Sequence, residues 1–196
     1  YAAGSIGEFQ VDNTSGTLAT DFLVDQSALM TLGSGGTGAS ARLFLADASS
    51  KLNITGGLVL GGNSSISVGG DAAGVVTISS VISDGGSGYS LAVNDDAGGW
   101  GTTNRTLRLM ALNTFTGNIS LAEGVLEINT VTDISGGASA LGNGTAITTT
   151  AAGTLKFIGT SPQATNRPIT TAGGALTLSA NGATAADTIT YNGLIT

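Results

Sequence analysis

Residues 113–126 read Asn113-Thr-Phe-Thr-Gly-Asn-Ile-Ser-Leu-Ala-Glu-Gly-Val-Leu126, and this stretch decides how the chain folds. Its first five residues form a hydroxyl-and-glycine turn around one aromatic side chain. Ile119-Ser120-Leu121 then alternates apolar and polar residues, which places Ile119 and Leu121 on one face of a short strand. After Gly124 the chain restarts as Gly-x-Leu, and Val125 to Ile128 alternates again.

Moving outward in both directions, the same alternation recurs. Before this stretch it marks strands at 42–45, 51–54, 57–60, 65–68, 75–78, 89–93 and 106–109. After it come 154–157, 175–178 and 188–191. Apolar residues occupy every second position, and the other face carries mostly Thr, Ser, Asn or a charge. Gly61-Gly62-Asn63, Gly69-Gly70-Asp71, Gly136-Gly137 and Asn181-Gly182 separate the strands with residues that tolerate positive φ, as turns require.

The leading leucines Leu107, Leu126, Leu155 and Leu176 are 19, 29 and 21 residues apart. Recurrence at about 20 residues or more is the signature of stacked coils. A sandwich would need a separate hairpin or crossover for each strand, whereas a solenoid only repeats its last coil. The spacing predicts an all-β chain forming a single right-handed parallel β-helix over residues 1–196, with roughly nine coils and a rod about 43 Å long. Residues 42–196 are the regular coils. Residues 1–41 lack a clean Gly-x-Leu frame and read as variant coils or a docked hairpin. The wide step from 126 to 155 predicts an extra turn around Asp133 to Asn143.

Asn113 to Leu126, with Val81-Ile82-Ser83-Asp84-Gly85-Gly86-Ser87-Gly88 and Thr106-Leu107-Arg108-Leu109, resembles the autotransporter-associated β-strand repeat of bacterial autotransporter passengers. The resemblance covers roughly residues 75 to 196. Asn118 departs from it, standing where the family usually has glycine, as does the long stretch Asn94 to Gly101. The family implies a right-handed parallel β-helix outside the cell and no particular activity.

Composition fits small side chains joined by frequent turns: 32 Gly, 2 Pro, 10% charged residues and 41% hydrophobic. No apolar run approaches the ~18 residues needed to cross a bilayer as a helix, so this segment is not expected to insert in a membrane. With no Cys and no His, disulfides, the usual zinc sites and Ser-His-Asp or Cys-His catalysis are excluded. A net charge of −7 argues against nucleic acid as a partner, and the 6 Lys and Arg are scattered along the sequence. Beginning at Tyr1, the sequence reads as a processed or excised mature segment.

Several residues could carry chemistry. Asp95-Asp96, beside Arg105 and Arg108, resembles the carboxylate and basic groups of β-helical polysaccharide lyases and hydrolases. Adjacent strand residues face opposite ways, however, and glycoside hydrolysis needs two carboxyls converging at ~5 to 9 Å. An acidic turn is the simpler reading. A structural calcium would use Asp71, Asp84 and Asp95-Asp96, but the Gly-Gly-x-Gly-x-Asp repeat of calcium-binding β-rolls does not occur, and no cofactor is expected. Gly85 to Gly88 lacks the Lys-Ser/Thr ending and helix of a phosphate loop. Asn13, Asn53, Asn63, Asn104, Asn118 and Asn143 begin Asn-x-Ser/Thr triplets, which chance supplies freely in a chain of this composition. Trp100 is either a sugar-stacking platform or a core cap.

Three functions compete: a structural rod in a fibre, sheath or surface layer; an adhesin presenting loops to carbohydrate or a partner protein; and a polysaccharide-cleaving enzyme. Lack of His, Cys and a convergent acid pair weighs against the enzyme. Neither terminus shows a polar amphipathic cap, and exposed strand edges recruit other chains. The expectation is an exported, non-enzymatic protein that self-associates end to end through Thr188, Ile189, Thr190, Tyr191, Leu194 and Ile195.

Overall fold

The computed structural model describes residues 5–6, 8–11, 22–33, 41–45, 50–68, 75–93, 106–180 and 188–196. In the first turn β1 (Ser5–Ile6), β2 (Glu8–Val11) and β3 (Phe22–Gln26) follow one another; in the second, β4 (Met30–Leu32), β5 (Ala41–Leu45) and β6 (Ser50–Ile54). The third holds β7 (Leu58–Leu60), β8 (Ser64–Val68) and β9 (Val75–Ile78), and the fourth β10 (Ile82–Ser83), β11 (Leu91–Val93) and β12 (Thr106–Leu109). Then come β13 (Ile119–Leu121), β14 (Gly124–Ile128), β15 (Ile147–Thr149), β16 (Gly153–Phe157), β17 (Gln163–Thr165), β18 (Ile169–Thr171), β19 (Leu176–Ala180) and β20 (Ile189–Tyr191).

No strand of this set bonds to its neighbour in sequence. The first face is the four-stranded sheet β1-β4-β7-β10, and the second and third are the seven-stranded sheets β2-β5-β8-β11-β13-β15-β18 and β3-β6-β9-β12-β14-β16-β19. β17 and β20 form a further pair. Every pairing between these strands is parallel. The chain is therefore an all-β solenoid. Four turns carry a strand on all three faces and the two longer sheets stop at seven strands, so the expected nine coils are not confirmed. At the N-terminus β1, β2 and β3 enter the parallel ladders, and among the described residues no hairpin pairs them with one another.

Inward residues stack in columns. On the third face Val76, Leu107, Leu126 and Leu155 lie directly opposite one another in successive turns and are buried, and the column ends at Leu178. Beside it run Ile54, Ile78, Leu109, Ile128 and Phe157, and on the second face Leu91, Ile119, Ile147 and Ile169. Burying a Leu, Ile or Val is worth about 1.5–3 kcal/mol each, which makes these columns the main source of stability. One expected equivalence is corrected. Leu176 lies opposite Gly153, and Leu178 takes the place opposite Leu155.

The deciding stretch forms a corner and two strands. Phe115 fills the interior at the corner and is fully buried. Gly117 has no room for a side chain, since a Cβ there would lie 2.2 Å from the Tyr89 carbonyl one turn away, and Gly144 packs against Gly117 in the next turn in the same way. Asn113 replaces ladder bonds: its Oδ1 accepts from Ile82 N at 2.8 Å and its Nδ2 donates to Ala140 O at 2.8 Å. Asn118 Oδ1 accepts from Ala146 N at 3.0 Å in the following turn. Between 129 and 146 the expected extra turn is present, with turn residues at 134–135 and 140–143 where earlier coils carry a first-face strand.

Replacing Leu126 or Leu155 by Asp drives an unpaired charge into a dry column and should cost about 3–5 kcal/mol. Denaturant melts of both variants check this, with loss of the cooperative transition near room temperature as the expected outcome.

Candidate assembly edge and inter-coil staples

Asp84, just after β10, is buried, and five donors converge on its carboxylate. Oδ1 accepts from Gly86 N at 2.9 Å; Oδ2 accepts from Gly88 N at 3.0 Å, Tyr89 N at 3.1 Å, Thr116 N at 3.0 Å and Thr116 Oγ1 at 2.8 Å. Gly85, Gly86 and Gly88 have positive φ, which lets the backbone curl its N–H groups around the carboxylate. Burial pushes the Asp84 pKa up, but the bonds from Thr116, Gly86 and Tyr89 outweigh it and hold the group below the ordinary carboxylate value. The glycine-rich loop is thus an anion nest filled by the chain's own side chain. It presents donors to Asp84, so this residue is not placed to ligate a cation.

A second staple sits on the outer surface of the third face. Arg108, Glu127 and Lys156 are direct partners in β12, β14 and β16. Arg108 Nε donates to Glu127 Oε2 at 2.6 Å, and Lys156 Nζ to Oε1 at 2.9 Å. Burial beneath the two basic chains raises the Glu127 pKa, while their hydrogen bonds and charges lower it further, leaving the carboxylate below its ordinary value. Three coils are clasped by one acid. Sequence reasoning treated the basic residues as scattered, although each of the three follows an aligned leucine: Leu107-Arg108, Leu126-Glu127, Leu155-Lys156.

Arg167 is fully buried at the corner left without a first-face strand. Its Nε donates to Thr132 O at 3.0 Å, one terminal nitrogen to Gly142 O at 2.7 Å and the other to Gly144 O. Burial depresses its basicity, partly offset by Tyr191 and Asp133. Tyr191, in β20, packs against the core with its hydroxyl buried, and burial raises its pKa despite the nearby guanidinium.

The candidate self-association residues all lie at the last edge of the rod. β20 pairs with β17 through Ile189 and Gln163, and Ile195 bridges Ile169 at the edge of the second face. Gln163 N donates to Thr188 O at 3.0 Å and Ile169 N to Leu194 O at 2.9 Å. Alternation along a strand therefore turns the N–H groups of Ile189 and Ile195 to the open side. Thr188 and Thr190 are exposed, and Ile189 and Tyr191 half-buried. Leu194 is 69% exposed, Ile195 52%, and Leu178, which ends the main column, 40%.

Asp71, Asp95, Asp96, Trp100, Arg105, Asn13 and Asn104 lie outside the described residues. Arg108 belongs to the Glu127 staple. Of the other Asn-x-Ser/Thr positions, Asn63 and Asn118 are used as inter-coil acceptors, Asn63 Oδ1 taking the Ser90 N–H at 2.9 Å. Asn53 Oδ1 accepts from Ser79 Oγ at 3.4 Å, and Asn143 N donates to Phe115 O at 2.8 Å. Among the described residues no three His, Cys, Asp or Glu come together as a metal cluster, and no helix is long and apolar enough to cross a membrane. Comparison with protein-family models, with curated proteins and with solved structures gives no significant match.

Asp84→Asn should cost about 1–3 kcal/mol at neutral pH, because a carboxamide cannot accept all five bonds. The folded-state pKa is lowered, so the carboxylate's contribution is complete above the ordinary carboxylate value and is lost as pH falls below about 4. Denaturant melts across pH should show the two proteins converging in acid.

Proposed function

We propose that this chain is a non-enzymatic, exported structural protein: a right-handed β-helical rod that associates head to tail into a fibre, sheath or surface layer. The single observation carrying this reading is the stacking itself, in which each coil is completed by a parallel neighbour of the same spacing. Columns buried from Val76 to Leu155 continue to a 40% exposed Leu178, and Ile189 and Ile195 turn backbone N–H groups that have no partner among the described residues outward beside exposed Leu194. Strands of this kind are completed by a further parallel coil of the same spacing, and in this reading a second copy supplies one. The contact is heterologous, so it propagates as a filament. Right-handedness follows the strong preference of parallel crossovers. Export rests on the resemblance of 81–88, 106–109 and 113–126 to autotransporter repeats.

A shallow groove of about 280 Å³ supports an adhesin as the second reading. It is lined by Met110, Ile158 and the exposed hydroxyl residues Thr160 and Ser161, which suit a neutral carbohydrate, while the Asn129, Thr130 and Gln163 side chains are held in hydrogen bonds within the protein.

Ile189→Pro removes a donor that faces the open side and leaves the internal β17–β20 bonds in place. Negative-stain microscopy should show fibres of the intact chain and isolated rods of the variant, with the same β-rich circular dichroism. Intact chain that stays as single rods at high concentration, yet binds neutral oligosaccharides, would favour the adhesin.

A further inference from the structure

The large hydrophobic side chains exposed among the described residues fall in only two places. Leu178, Leu194 and Ile195 belong to the last described coil. Leu29, Val81, Met110 and Leu112 lie on one corner of the rod, where the chain passes from the third face to the first. Met30, Leu58 and Ile82 are direct partners on the first face, so Leu29, Gly57 and Val81, each one residue earlier, form a row along the axis. Met30 N donates to Gly57 O and Leu58 N to Val81 O, both at 3.1 Å, which fixes that register. Leu112 continues the row, because Asn113 bonds Ile82 N through its side chain and Thr114 N donates to Ile82 O at 2.9 Å. Leu29, Val81 and Leu112 are 54%, 45% and 56% exposed, and Leu29 leans to 3.0 Å from where a Cβ of Gly57 would be.

We propose that this ridge is a lateral self-association surface on which two rods pack antiparallel. Two arguments name a second copy as the occupant. The knobs recur at the coil repeat, about 4.8 Å per turn, a spacing that another solenoid matches along its whole length. The corner segments 27–29, 55–57, 79–81 and 110–112 contain no charged residue, although the chain carries −7 overall. They form a strip where two like-charged rods approach without repulsion. An antiparallel two-fold sets Leu29 of one rod against Leu112 of the other, and Val81 against the side-chain-free Gly57. These side chains bury a few hundred Å² at most, below the ~1,000 Å² of a stable dimer, so pairing is weak between single rods and strengthens along a filament.

The chain has no cysteine, which makes introduced thiols unambiguous. Mixing Leu29→Cys with Leu112→Cys should give mixed dimers at least about tenfold faster than either variant alone. Val81→Glu with Leu112→Glu should abolish concentration-dependent dimers in sedimentation without lowering thermal stability, since both sites are exposed. Equal self-coupling of Leu29→Cys and Leu112→Cys with no excess in the mixture would overturn the antiparallel geometry. Absence of dimers, or dimers indifferent to the two glutamates, would overturn the surface itself. The surface is independent of the end-to-end contact: Ile189→Pro chains should still pair laterally, so failure at the edge and failure at the ridge are read separately.

Discussion

The structure depends on parallel backbone pairing between coils that are 19 to 34 residues apart in sequence, as the Arg108–Glu127 and Glu8–Arg42 registers illustrate. A strand here finds no hydrogen-bond partner beside it in the chain. Its N–H and C=O groups are satisfied only by the coils before and after, and the same stacking sets leucine on leucine. Stability is then nearly one-dimensional, a sum of coil and neighbour terms, and every coil needs a neighbour on both sides.

Corners are where such a ladder lapses, and there the polar side chains take over. Asn63, Asn113, Asn118, Asp84 and Gln163 each accept backbone N–H groups from another coil, Gln163 Oε1 taking Val131 N at 2.7 Å. Abundant Asn, Ser and Thr are therefore structural in this chain. They replace the ladder wherever a corner leaves donors without a strand. Arg167 does the same for three carbonyl oxygens at the irregular corner, using the one side chain long enough and rich enough in donors to reach them.

Most regular strands from 42 to 196 were legible from alternation alone, because period two and a buried face leave little choice. Register was not. Leu176 and Leu178 point to the same side, so alternation cannot distinguish a slip of two residues, and the Gly-x-Leu cue at Gly174-Ala175-Leu176 selected the wrong one. Strands such as β10, β15, β17 and β18 escaped because they are two or three residues long and rich in Ser and Thr. The Asp84 nest and the buried Arg167 were not legible either, since both are defined by backbone carbonyls and amides many residues away.

The central claim is that neighbouring strands are parallel coils of one column. Amide and Hα proximities in an isotope-labelled sample test it most directly. The account predicts cross-coil contacts linking Arg108 to Glu127 and Glu127 to Lys156 in the parallel pattern, each residue bonded to the two flanking its partner. Short Hα–Hα contacts between these strands, or contacts between strands adjacent in sequence, would mean antiparallel hairpins and contradict it.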